Sequence, residues 1–185
     1  MRARSLLRVV LGVTLALGPL LALVGAAAQP AARESTVKAA FLYKFSAFVD
    51  WPAGALERPD QPLVIGVSGD EDVAADLEQL VASRSEDRPV TVRRIPEGAP
   101  VEGMHIAFLA RRREGRLREA IEAVKGAVLV VTEQPGALQL GSVLNFSSEG
   151  GRVRFSASLT SAEARGLKLS SRLLAVAQWV EGRVR

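Results

Sequence analysis

The chain reads as one α/β domain: a mixed, mostly parallel sheet flanked by helices, with a C-terminal β-hairpin and a closing helix. Three observations predict it. Short apolar runs at 63–67, 105–109 and 127–132 alternate with segments of helical periodicity, the pattern of parallel strands covered on both faces. Two further strands, 143–146 and 152–159, flank Ser147-Ser148-Glu149-Gly150-Gly151, which reads as a hairpin turn. The last stretch returns to helical spacing.

Taken in order, Ser35 opens a helix in which Val37, Phe41, Phe45 and Phe48 share one face, a core stripe rather than a binding box. Lys38 and Lys44 fall off that stripe, and Trp51-Pro52 is expected to end the helix. The run at 63–67 is the first strand, and Ser68-Gly69-Asp70 turns into a helix over 72–82. Its buried stripe is Val73, Leu77 and Leu80 or Val81, and Asp70 can cap its free amides. Val90, Val92 and Ile95 mark a second strand, and 105–109 a third. An arginine-rich helix carrying Leu117, Ile121 and Val124 inward follows, with Gly126 as its C-terminal stop, before the strand at 127–132. In the hairpin, Val153, Phe155, Ala157 and Leu159 alternate with Arg152, Arg154, Ser156 and Ser158, so one face is buried. Thr160 with Glu163 makes a capping box opening a helix to about Val180, with Ala164, Leu167, Leu174 and Ala177 inward.

Residues 1–28 read as a cleavable Sec-type export signal. Arg2, Arg4 and Arg8 form the positive region, 9–23 is apolar without charge, and Ala26-Ala27-Ala28 supplies the small residues a signal peptidase needs before Gln29. The apolar run is shorter than the roughly 20 residues of a membrane span. The expected product is a soluble periplasmic protein, with a flexible N-terminus at 29–34 and the domain at 35–185. Three of the net +4 charges belong to the leader, so the remainder is near +1 and nucleic acid is not an expected partner. Arg111-Arg112-Arg113, Arg116 and Arg118, interleaved with Glu114, Glu119 and Glu122, read as a solvated helix face. The chain has no cysteine, which excludes lipid attachment, thiol catalysis, thiolate metal sites and disulfide switching.

The chemistry motifs argue against an enzyme and against a resident cofactor or metal. Gly66-Val67-Ser68-Gly69 lies where a nucleophile elbow would but lacks its glycine spacing. His105, the sole histidine, reads as a hydrogen-bonded structural residue rather than a base for Ser68. The loop 136–141 has two glycines with no Lys-Ser or Lys-Thr after them, so it is no phosphate loop. Asp70-Glu71-Asp72 lacks the spaced ligands of a calcium loop and suits a helix start.

Three ordered sets of residues resemble a known family. Val37-Lys38-Ala39-Ala40-Phe41-Leu42-Tyr43-Lys44-Phe45 runs on to Trp51-Pro52. Val64-Ile65-Gly66-Val67-Ser68-Gly69-Asp70 follows. Gly141-Ser142-Val143-Leu144-Asn145-Phe146, Arg152-Val153-Arg154-Phe155 and the stretch Ala164-Arg165-Gly166-Leu167-Lys168-Leu169-Ser170-Ser171-Arg172-Leu173-Leu174 complete the set. The chain is similar to the YfiR family of small exported proteins over essentially all of 35–185. The resemblance implies a non-enzymatic periplasmic repressor that binds the periplasmic part of an inner-membrane diguanylate cyclase, lowers cyclic di-GMP and so bears on biofilm regulation. It also implies a homodimer. Characterised members carry disulfides that bear on redox response; this chain has none, so redox control does not carry over.

The expected partner surface comprises Asn145, Phe146, Arg154, Leu167 and Lys168, on the hairpin and the segment after it. The alternative is a periplasmic small-ligand module feeding a membrane transporter or sensor kinase. Its mouth would be Ser68, Gly69 and Asp70 with the loop 132–136, at the carboxyl ends of parallel strands.

Overall fold

The computed structural model describes residues 33–182 except 59 and 85–87. The expected leader and the tail before residue 33 lie outside the described residues.

A seven-stranded sheet holds the domain, in the order β3-β2-β4-β5-β6-β7-β9. Strands β2 (Leu63–Ser68), β3 (Val90–Arg94), β4 (Ile106–Leu109), β5 (Leu129–Thr132) and β6 (Leu144–Glu149) run parallel. β7 (Arg152–Ser158) turns back antiparallel to β6, and β9 (Trp179–Glu181) runs parallel to β7. The mixed, mostly parallel α/β fold is the one the alternation of apolar runs and helices predicts.

Side chains of the central strands alternate between two separate cores. Ile65, Phe108 and Val131 face the helices α1 (Glu34–Phe45) and α2 (Glu71–Ala82). Val64, Leu109 and Val130 face α3 (Glu114–Ala123). Gly66 has no side chain for a packing reason. A Cβ there would lie 2.2 Å from Met104 Sδ and 2.5 Å from Ile95 Cδ1, both on the β3–β4 connection that crosses over β2.

α1 differs from the expected one-sided helix. Its buried residues are Lys38, Ala39, Leu42, Tyr43 and Phe45, while Val37, Phe41 and Phe48 are only half-buried. The helix is wedged between α2 and the hairpin, where Phe41 and Phe45 pack on Phe146 and Phe155 with ring centroids 5.2–5.9 Å apart. Lys38 is therefore inside, contrary to expectation. The helix also ends before Trp51-Pro52. After Phe45 comes one 3₁₀ turn, and then β1 (Val49–Asp50) pairs with β8 (Lys168–Leu169). Proline restricts its own φ and the residue before it, and by Trp51-Pro52 strand pairing has already taken the chain out of the helix.

The other local expectations resolve individually. Asp70 Oδ1 accepts from Val73 N at 3.0 Å, capping α2 as predicted. α3 ends at Ala123, and its terminal carbonyls are met by Arg165, which donates to Ile121 O at 3.2 Å and Val124 O at 3.1 Å. Gly126 takes its positive φ of 78° in the turn beyond. Gly150 and Gly151, at φ 55° and 73°, form the two-residue hairpin turn, with Glu149 opposite Arg152.

The closing helix is present in two pieces. α4 (Leu159–Ala164) is capped by Ser158, whose Oγ accepts from Ser161 N at 3.2 Å, so the cap lies two residues before the expected Thr160. Gly166 at φ 69° stops it. β8 follows, then α5 (Ser171–Val176), capped by Ser170 Oγ at 3.2 Å from Leu173 N, and finally β9. A left-handed glycine and a second serine cap override the helical spacing that Ala164, Leu167, Leu174 and Ala177 suggest.

Candidate functional site at the carboxyl edge of the sheet

The strands β2 and β4 are neighbours, but their outgoing chains pass to opposite faces, into α2 and α3. The crevice between them is the place where open α/β sheets bind ligands. Ser68 ends β2 and is buried, and its Oγ accepts from Arg112 Nη2 at 3.1 Å. Ser68 O lies 3.4 Å from the same nitrogen, and Arg112 Nε donates to Ala110 O at 3.2 Å. Gly69 makes the turn at φ 86°, while Asp70 is occupied in capping. Of the expected mouth, Ser68 alone lines the adjoining cavity of about 560 Å³, shared with Ile95, Val101, Leu109, Arg112 and Arg116.

The loop 132–136 opens on a different cavity, of about 390 Å³, lined by Glu34, Lys38, Arg111, Glu133, Asn145 and Phe146 among others. The single mouth expected from the sequence is thus two, with the consecutive residues Arg111 and Arg112 lining one each. Lys38 is the centre of the second. Its Nζ bonds Glu133 Oε2 at 2.5 Å and Glu34 Oε1 at 2.7 Å, and Glu133 Oε1 accepts from Arg111 N at 2.9 Å. Burial disfavours the charge on Lys38, but its bonds to Glu133 and Glu34 outweigh that and raise its pKa above the ordinary lysine value. The same bond to Lys38, working against burial, lowers the pKa of Glu34. Asn145 Oδ1 accepts from Gln134 N at 3.0 Å and lies 2.7 Å from Thr132 Oγ1, which ties the loop to β6.

A third feature is an uncovered sheet face. Phe146, Phe155 and Ala157 turn toward α1, so Asn145, Ser147, Arg154 and Ser156 lie on the opposite side. The core beneath α3 contains no residue of β6, β7 or β9, and on that side Arg154 is exposed while Asn145, Ser147 and Ser156 are half-buried. Ser156 pairs with Trp179 in the ladder, which places the half-exposed Trp179 on the open face beside the exposed Arg154. Gln178 anchors β9 there, accepting from Ser147 Oγ at 3.1 Å and donating to Glu149 at 2.7 Å.

The five residues expected to meet a partner therefore separate. Asn145 and Arg154 share the open face, Phe146 and Leu167 are core side chains at 1% exposure, and exposed Lys168 sits on the β1–β8 ladder opposite Asp50. The sequence reading does not single out Trp179, because a continuous closing helix leaves no reason for it to stand on a sheet.

His105 is the structural residue expected. Val64 N donates to its Nδ1 at 3.0 Å, so Nε2 carries the hydrogen and donates to Ala55 O at 3.0 Å. His105 N bonds Val64 O, four residues before Ser68, which puts imidazole and hydroxyl about 13 Å apart along the strand. That separation is too long for a nucleophile and its base. Among the described residues there is no acidic or histidine cluster able to hold a metal ion, and no helix long and apolar enough to cross a membrane.

A model of the YfiR/HmsC-like family matches residues 35–178. The chain belongs to that family. YfiR/HmsC-like proteins are periplasmic regulatory proteins of the diguanylate cyclase system. Eight solved chains match, among them a conserved domain protein from Vibrio cholerae O1 biovar eltor, at 11% identity and a TM-score of 0.54. That alignment covers 80% of this chain and 60% of the other, and it supports the fold alone. No curated protein matches.

Proposed function

We propose that this YfiR/HmsC-like chain is exported by its leader at 1–28, is a homodimer, and represses an inner-membrane diguanylate cyclase by binding the cyclase's periplasmic part. The observation that carries the reading is the family match across nearly the whole described domain. The mechanism needs no reacting group. A repressor that binds the inactive cyclase conformation more tightly shifts the population toward it, and a coupling of about 1–3 kcal/mol gives roughly 5- to 150-fold. The open face of β6, β7 and β9 supports the reading as a docking surface, since tryptophan and arginine are the side chains most often dominant in such contacts. Lys168, exposed on the separate β1–β8 ladder, would be a second contact apart from that face.

The test is a crosslinked pull-down of the tagged protein from intact envelopes, with partners identified by mass spectrometry. Recovery of an inner-membrane protein with a periplasmic sensor region and a cyclase domain supports the proposal. A transporter or sensor kinase alone supports the second reading, a small-ligand module, which the cavity at the β2/β4 crevice favours. Lys168→Glu is expected to raise cyclic di-GMP at equal protein abundance; an unchanged level removes Lys168 from the docking surface.

A further inference from the structure

The two cavities hold cations of opposite status. Lys38 is neutralised by two carboxylates. Arg112 is held by three neutral oxygens, Ala110 O, Ser68 O and Ser68 Oγ, and no carboxylate of the described residues reaches it. Its Nη1 hydrogens have no protein acceptor among those residues. The guanidinium is thus fixed in position with its charge uncompensated, the state that suits recognition of a planar anion. Gly69 keeps the space beside it: a Cβ there would lie 3.6 Å from Arg112 Nη2 and 3.4 Å from Ala110 Cβ.

The rest of the cavity selects among anions. Ile95, Val101 and Leu109 are buried side chains of its wall, and Ala120 and Ala123 of α3 face them. Its volume of about 560 Å³ is that of a small-molecule site. Glu97 and Glu119 stand at the same cavity, Glu119 already 3.4 Å from Arg116, and they oppose a polyanion. We propose that the cavity between the β3–β4 connection and α3 binds a small organic monoanion, its carboxylate on Arg112 and its apolar body against Ile95, Val101 and Leu109. The inference concerns occupancy of this cavity alone and holds under either reading of the partner.

The experiment titrates the purified protein with benzoate, phenylacetate and hexanoate while following backbone amide signals by NMR. At least one carboxylate is expected to shift Ser68, Gly69, Gly98 and Arg112 together. Its uncharged amide should bind about tenfold more weakly or worse, the loss of one charge-assisted contact. Arg112→Gln should lose about tenfold with at most a fall of a few degrees in melting temperature, while Arg111→Gln, lining the other cavity, stays within about twofold. Should Arg112→Gln misfold, Arg112→Lys and the acid–amide comparison in the unaltered protein decide the matter. No shift with any of the three overturns the proposal, as do equal binding of acid and amide, equal losses at Arg111 and Arg112, or equal affinity for inorganic phosphate.

Discussion

Lys38, buried, and Arg112, half-buried, stand at the same edge of the sheet and show what pairing does to a cation drawn away from water. Lys38 is 8% exposed and bridges α1 to the loop after β5 through Glu133, a contact 95 residues away in sequence. Its charge is spent on the fold, and Glu34 and Glu133, which line the cavity beside it, are its partners. Arg112 reaches back only to the strand ends beneath it and meets neutral oxygens. One site is a lock between elements; the other keeps its charge for a visitor.

Breaking the lock should have the largest effect. Lys38→Met leaves the largely buried Glu133 with the Arg111 amide but without its main partner and is expected to cost about 3 kcal/mol, read as a fall in the urea midpoint. The double variant Lys38→Met, Glu133→Leu should recover much of that loss, since two apolar groups leave no orphaned charge. A cost below about 0.5 kcal/mol for the single variant would mean that the pair does not hold α1.

A second lock ties the same N-terminal end of α1 to α2. Asp76 of α2 accepts from Ser35 Oγ at 2.7 Å, Thr36 Oγ1 at 2.9 Å and Arg33 at 2.6 Å. The Ser35 hydroxyl, then Thr36 and Arg33, hold its carboxyl below the ordinary value of 3.8 in spite of burial. Because the folded pKa is the lower one, this stabilisation is fully present above about pH 4 and fades as pH falls through the folded value. Asp76→Ala should cost about 2 kcal/mol near neutrality and flatten the acid limb of a stability-versus-pH curve. An unchanged acid limb would exclude Asp76 as a source of acid sensitivity. Lys38, with its pKa raised, contributes in the opposite direction: its stabilisation holds below the ordinary value of 10.5 and fades as pH rises through the folded one.

The smaller effects sharpen the contrast. Arg112→Gln removes only hydrogen bonds to neutral oxygens from a half-buried side chain, so it should cost about 1 kcal/mol or less. A loss equal to that of Lys38→Met would make Arg112 a lock as well. Trp179→Ala should change stability by about 0.5 kcal/mol or less, since half of the ring is already in water, yet it should weaken capture of the membrane partner. Full capture by the variant would remove the open sheet face from the docking surface.

Much of this architecture is legible in the sequence, because local rules decide it. The strands β2, β4 and β5 are apolar on both faces, Asp70 caps α2, and Ser147–Gly151 marks a hairpin, each readable within a few residues. The hairpin ladder nevertheless runs on through Glu149 and narrows the turn to Gly150-Gly151. Lys38 is not readable in that way: helical spacing puts it off the aromatic stripe, and only Glu133, brought over from β5, makes its burial tolerable. The closing segment fails for the reverse reason. Gly166 and Ser170 are local stop and start signals, but the apolar spacing runs across both, and the pairing of β8 with β1 decides the outcome. Trp179 becomes a surface feature only once β9 joins β7. Of the candidate site, Ser68 is legible from its place after a strand; its tie to Arg112, 44 residues on, is a product of the β2–β4 pairing.

The central claim is repression, and the most direct measurement is cellular cyclic di-GMP in a strain deleted for this protein and complemented with it. The account predicts that the level rises on deletion and returns when the chain is restored with its leader. A level that stays constant through both steps, with the protein present in the periplasm, would contradict it.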